Sequence, residues 1–226
     1  MAIPFLKRFA GRADAAADRA SRGSADALVM QWFMDALSRR TDPAVLDLGV
    51  GKQRQLMNLV NMGFRATGDD TAVQRVGKIV LTSEEDAFKV GPDPGKLFRF
   101  DLPSLDFDGV LCWNAFDELS YLGGFLLARE IARLLKVGGV VAGTWSAPPR
   151  EARRARAEAR GFMLTDGRGV HPMRFLDGSP CRYENREILE LFPSFKLEHS
   201  MVYVDGTRRM VLEKSGQPTL PFSPRG

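Results

Sequence analysis

The chain is 226 residues long and holds only two cysteines, Cys112 and Cys181, and two histidines, His171 and His199. There is no CxxC pair and no Cys/His cluster. That excludes a structural zinc site and a disulfide framework, and no metal site is expected. Cys112 lies in an apolar run and reads as a small buried hydrophobe. Sparse, unpaired thiols fit a reducing, cytoplasmic setting. No apolar run approaches the ~18 residues of a transmembrane helix. The opening MAIPFLKRFAGR lacks the sustained apolar centre of a secretory signal. The net charge of +4 permits a polyanionic partner without requiring one.

What is present is an alternation of short apolar strands with helical patterns. Residues 1–40 read as a peripheral helical extension. In it Ser24 caps a helix whose apolar positions Leu28, Trp32, Met34 and Leu37 fall broadly on one face. Thr41-Asp42-Pro43 breaks that helix, and 41–215 form the main domain. Ala44–Gly49 is a strand of the type buried on both faces. Arg54–Met62 is a helix ended by Gly63 at C′, and Phe64–Gly68 is a second strand.

Further on, Thr71–Val76 reads as a short helix, and Lys78–Leu81, Leu97–Phe100 and Asp108–Trp113 read as strands. Gly124–Leu135 is helical by its apolar period. Lys136-Val137-Gly138-Gly139 then turns into the strand Val140–Trp145. Residues 147–180 form an irregular insertion, a candidate acceptor-recognition element. Glu184–Phe192 is a helix, and 216–226 is a flexible, proline-containing tail. Lys196–Val204 and Arg208–Lys214 meet through Asp205-Gly206, a dipeptide suited to a tight hairpin. Strands so joined are antiparallel. The expected fold is therefore α/β: a Rossmann-like, doubly wound, mixed sheet with one reversed strand near its end.

Asp47-Leu48-Gly49-Val50-Gly51 carries the most chemistry. The chain leaves a strand and turns sharply into a helix, and glycine there lets a ligand approach the backbone. This point lies at the carboxyl ends of the strands, where open α/β sheets bind ligands. Asp70, at the end of the second strand, is placed to accept hydrogen bonds from both ribose hydroxyls of a nucleotide. Asp69 beside it is an alternative for that role.

Together these segments resemble those of class I S-adenosylmethionine-dependent methyltransferases. They are Val45–Gly51 with Gly68-Asp69-Asp70, Phe100-Asp101-Leu102-Pro103, Phe107-Asp108-Gly109-Val110-Leu111 and Leu134-Leu135-Lys136-Val137-Gly138-Gly139. The resemblance spans roughly 41–215 and implies seven strands, the last antiparallel, with S-adenosylmethionine as cofactor. It implies that Asp47, Gly49 and Gly51 frame the methionine end and that Asp70 holds the ribose. It also places Asp101 and the Leu102 backbone at the adenine edge, and Trp113 and Asn114 facing the methyl donor. An aromatic face such as Trp113 stabilises a sulfonium cation, although a core aromatic at a strand end is the plainer account of it. One departure stands out: Gln53, preceded by Lys52, replaces the usual third glycine of the loop.

The acceptor is less legible. Trp113-Asn114-Ala115-Phe116 is not the Pro-Pro-aromatic motif of enzymes that methylate amino groups of nucleic acids. Asp117 and Glu118 are candidate bases, as is His171 in the insertion. Arg150–Arg160 places Arg153, Arg156 and Arg160 near one helical face, a stripe able to grip RNA phosphates. A small-molecule acceptor is favoured, with RNA as the second class. The rival functions are a non-catalytic binding protein of the same fold and an NAD-dependent oxidoreductase. Arg54 interrupts the GxGxxG fingerprint that the oxidoreductase reading needs.

Overall fold

A computed structural model of the chain describes residues 28–49, 53–69, 71–79, 97–147, 182–203 and 206–216. The strands are β1 (Ala44–Asp47), β2 (Arg65–Gly68), β3 (Phe107–Trp113), β4 (Leu135–Ser146), β5 (Phe195–Val202) and β6 (Thr207–Lys214). They form one sheet in the order β2-β1-β3-β4-β6-β5. The first four run parallel, and β6 is antiparallel to both β4 and β5. The mixed α/β sheet with a reversed final strand is as expected. Among the described residues it has six strands, not the seven implied by the resemblance.

The helices are α1 (28–37), α2 (Gln53–Asn61), α3 (Ala72–Gly77), α4 (Tyr121–Leu134) and α5 (Asn185–Leu191), with a 3-10 turn at Ala115–Glu118. They cover both faces of the sheet because side chains alternate along each strand. From β3, Val110 and Cys112 enter a large core with Val76, Leu122, Leu127, Ile131 and Ile188. Leu111 faces the other way and packs with Val45, Val140 and Val211 beneath α1 and Leu59 of α2.

Several local expectations need correction. The buried stripe of α1 is Val29, Phe33 and Leu37, four residues apart. Of the expected face only Leu37 is fully buried, while Leu28, Trp32 and Met34 flank it. The reason is Gly109, where a methyl group would sit 2.5 Å from Phe33 Cζ. The missing side chain on β3 makes the socket that fixes the helix rotation, and Trp32 turns outward to stack on His199 at 4.7 Å.

The segment 97–100 is not a strand. Side chains satisfy its backbone in place of a neighbouring strand. Phe100 N–H donates to Glu130 Oε2 at 2.9 Å, and Arg133 Nη2 donates to the Phe100 carbonyl at 3.1 Å. The strand expected at Lys78–Leu81 is turn and coil at 78–79, and 80–81 lie outside the described residues.

Finally, the Lys136–Gly139 turn is absorbed into β4, which follows α4 without a break. Its pairing jumps from Phe107↔Leu135 to Gly109↔Val140. Gly138 takes up the bulge at φ +74°, a conformation glycine adopts without steric cost.

Two glycine terminators behave as read. Gly63 ends α2 at φ +89° and Gly206 closes the β5–β6 hairpin at φ +81°. Ser120 caps α4 by accepting from Gly123 N–H at 3.2 Å, so that helix starts at Tyr121 rather than Gly124. Glu184 and Glu187 form a reciprocal capping box on α5.

Candidate functional site

β1 is a topological switch point, because the chain leaves it for β2 on one side and returns as β3 on the other. Open α/β sheets form their ligand crevice outside the carboxyl ends of the strands at such a point. Here that point lies between the end of β1 (Asp47, Leu48, Gly49) and the end of β3 (Trp113, Asn114).

Asp47 is buried, only 3% exposed. Its Oδ1 accepts from the Gly49 N–H at 2.8 Å and from Trp113 Nε1–H at 2.9 Å. A buried carboxylate needs such donors. Gly49 is required sterically: an added Cβ would lie 2.8 Å from Trp113 Cδ1 and 2.9 Å from Asp47 Oδ1. Trp113 itself has φ +47°. A bulky residue in that region is an outlier held by its surroundings, and such strain clusters at functional sites. The indole N–H of Trp113 donates to Asp47 and so helps to orient that carboxylate.

Around this cluster the two neighbouring acids of the 3-10 turn diverge. Asp117 turns toward β4, where both its oxygens accept from the Ser146 N–H, at 2.9 and 3.0 Å. Burial pushes its carboxyl above the ordinary value, with partial relief from Ser146 and the positive charge of Arg182. Glu118 faces solvent, and Asn114 Nδ2 approaches its Oε1 at 3.4 Å. Burial, reinforced by the nearby charge of Asp47, pushes the Cys112 thiol far above its ordinary value, so it is inert at neutral pH.

At the end of β2, Asp69 extends the ladder by donating its N–H to the Asp47 carbonyl. Its carboxylate already has protein partners. Oδ1 accepts from Thr71 N–H (3.1 Å) and Thr71 Oγ1–H (2.9 Å), and Oδ2 pairs with Arg75. Asp69 therefore organises the entry to α3.

Asp101 and Leu102 belong to a separate neighbourhood. A cleft of about 540 Å3 is lined by Arg99, Phe100, Asp101, Leu102 and Pro103. Arg133 of α4 organises this stretch, donating to the Leu102 carbonyl and Ser104 Oγ, both at 2.9 Å. The structure thus brings Asp47, Gly49, Trp113, Asn114 and Glu118 to one edge and sets Asp101 and Leu102 in a cleft of their own. Gly51, Asp70, His171 and Arg150–Arg160 lie outside the described residues, as does the side chain of Gln53.

Arg75 was not anticipated as a site residue. Its partners Asp69, Phe98 and Phe100 come from separate parts of the chain, and no local spacing announces them. Among the described residues no cluster of three His, Cys, Asp or Glu could hold a metal ion. No helix there is long and apolar enough to cross a membrane.

No family model matches the chain, and no curated protein matches its sequence. Solved structures do match it. A protein from Galdieria sulphuraria assigned as a sarcosine dimethylglycine methyltransferase shares 12% identity at a TM-score of 0.53, covering 87% of this chain and 88% of that one. The CurJ carbon methyltransferase shares 12% identity at 0.51, over 84% of this chain and 54% of that one. The Burkholderia thailandensis 1,6-didemethyltoxoflavin-N1-methyltransferase, solved with bound 1,6-didemethyltoxoflavin and S-adenosylhomocysteine, shares 20% identity at a TM-score of 0.49, over 90% of this chain and 93% of that one. What is shared at these identities is the fold, that of class I S-adenosylmethionine-dependent methyltransferases.

Proposed function

We propose that this chain binds S-adenosylmethionine in the crevice between β1 and β3 and transfers its methyl group to a small-molecule acceptor. The observation that carries the reading is the Asp47–Gly49–Trp113 cluster at the switch point of the sheet. A carboxylate fixed by two donors at a glycine-lined strand end suits the ammonium group of an amino-acid moiety. Gly49 admits no side chain, because the Trp113 indole and the Asp47 carboxylate fill the space a Cβ would need, and this holds the cluster in one arrangement.

The bound cofactor would supply a methyl group activated by a sulfonium centre. The chain's part is to hold and orient. Asp47, Gly49 and Gly51 would frame the methionine end, and Asp70 would accept from the ribose hydroxyls. Asp101 and the Leu102 backbone would face the adenine edge from their cleft. Trp113 and Asn114 would close the space beside the sulfur, with Trp113 acting chiefly through its bond to Asp47. Methyl transfer needs the acceptor aligned and, for a protic acceptor, a base. Glu118, solvent-facing at the rim, and His171 are the groups proposed for that proton. The Arg150–Arg160 stripe keeps RNA as the second acceptor class.

Calorimetric titration of the purified chain with S-adenosylhomocysteine and with NAD tests this. One-site binding of the homocysteine product and none of NAD supports the reading. NAD binding alone would assign the crevice to a dinucleotide, and silence with both would make the chain a non-catalytic member of its fold.

A further inference from the structure

Arg75 lies between two segments that the sequence separates. Its guanidinium pairs with Oδ2 of Asp69, the residue immediately before Asp70. The same guanidinium carbon stands 5.7 Å from the ring centroid of Phe98 and 5.8 Å from that of Phe100, the residue immediately before Asp101. Both distances are within cation–π range. The two rings meet edge to face at 5.2 Å and are buried, 7% and 2% exposed, so they do not follow solvent fluctuations. Both ends of this bridge are fixed independently. Asp69 Oδ1 is held by Thr71, and the Phe100 backbone is held by Glu130 and Arg133.

From this geometry we infer that Arg75 is a positioning residue for the adenosyl group. It sets the spacing between the ribose end of β2 and the cleft segment 99–103. The inference rests on the reading that the crevice takes an adenosyl ligand, and it adds the element that joins the two halves of that site. Stability is a poor explanation for the arrangement. The Arg75 side chain is 46% exposed, and ion pairs that open to water contribute little to folding. What a planar guanidinium supplies here is geometry, a fork toward a carboxylate and a flat face toward aromatic rings.

The test compares wild type, Arg75→Met, Arg75→Lys and Asp69→Asn for affinity toward S-adenosylhomocysteine and S-inosylhomocysteine, in which the adenine amino group is an oxo group. Thermal unfolding is measured in parallel. Arg75→Met is expected to weaken S-adenosylhomocysteine binding about tenfold, below the roughly hundredfold that a 1 Å misplacement of a site can cost. It is also expected to lower the preference for adenine over hypoxanthine, with the unfolding midpoint nearly unchanged. Asp69→Asn should do the same, and the double variant should be no worse than either single change.

Should Arg75→Met not fold, Arg75→Lys gives the same answer, since it keeps the charge without the fork or the face. Unchanged affinity and unchanged base preference in the variants overturn the inference. So does an equal loss of both ligands accompanied by a fallen midpoint, which would mark a purely structural residue. Failure of wild type to bind S-adenosylhomocysteine overturns the underlying reading; wild-type binding with indifferent variants overturns this inference alone.

Discussion

Trp113 Nε1–H donates to Oδ1 of Asp47 at 2.9 Å, joining the carboxyl ends of β3 and β1. The same oxygen takes the Gly49 N–H. Trp113→Phe removes one of these two donors from a buried carboxylate. A hydrogen bond to a charged group is worth about 1.5–3 kcal/mol. The variant is therefore expected to lose stability on that scale in denaturant titrations and to bind S-adenosylhomocysteine more weakly by calorimetry.

Gly49→Ala probes the same cluster by collision. The new methyl group would press on the indole and the carboxylate together, at 2.8 and 2.9 Å. The expected result is loss of ligand binding with a changed environment for Trp113, read from its indole resonance. Gly109→Ala is the matched control in the core, with Phe33 Cζ only 2.5 Å away. It should cost about 1–3 kcal/mol through overpacking while leaving Trp113 undisturbed.

How much of this was legible in the sequence depends on the range of the interaction. β1 announced itself because a strand buried on both faces is an apolar run, and Ala44–Asp47 is buried throughout. Gly63 and Gly206 were readable because positive φ has few residue solutions. The face of α1 was misplaced because its rotation is set by Gly109, far along the chain and invisible to helical periodicity. Segment 97–100 has strand-like residues, but Glu130 and Arg133 satisfy its backbone in place of a ladder. At the site, Asp47, Gly49 and Trp113 were each picked out by position, whereas the bond between Asp47 and Trp113 and the bridge through Arg75 are products of tertiary packing.

Asp108 and Asp117 should respond to pH with opposite signs. Burial alone would raise the Asp108 carboxyl, but Lys136, the Ala44 N–H and Arg40 outweigh it and hold the pKa below its ordinary value. Its folded pKa thus lies below the unfolded value of about 3.9, so its stabilisation is present above that pH and lost as pH falls through the folded value. Asp108→Ala leaves the Ala44 N–H, Arg40 and Lys136 without this acceptor. It is expected to cost about 1–3 kcal/mol at pH 7 and to flatten the acid limb of the stability curve.

For Asp117 the folded pKa is raised by burial. Its favourable share is therefore present below about pH 4 and lost as pH rises through the folded value. Asp117→Asn keeps an acceptor for the Ser146 N–H and removes the buried charge. The variant should show less decline in stability from pH 4 toward neutrality than the parent, measured by urea unfolding across that range. An identical slope in both proteins would contradict the assignment.

The measurement closest to the central claim is a nitrogen–proton correlation spectrum of the three tryptophan indoles during titration with S-adenosylhomocysteine, the Trp113 peak being assigned by Trp113→Phe. Trp32 stacks on His199 and Trp145 is wholly buried, so both serve as internal references. The Trp113 peak is predicted to move in a saturable way while the other two stay in place. Binding that leaves the Trp113 peak fixed, or no binding of the ligand at all, would contradict an adenosyl crevice between β1 and β3.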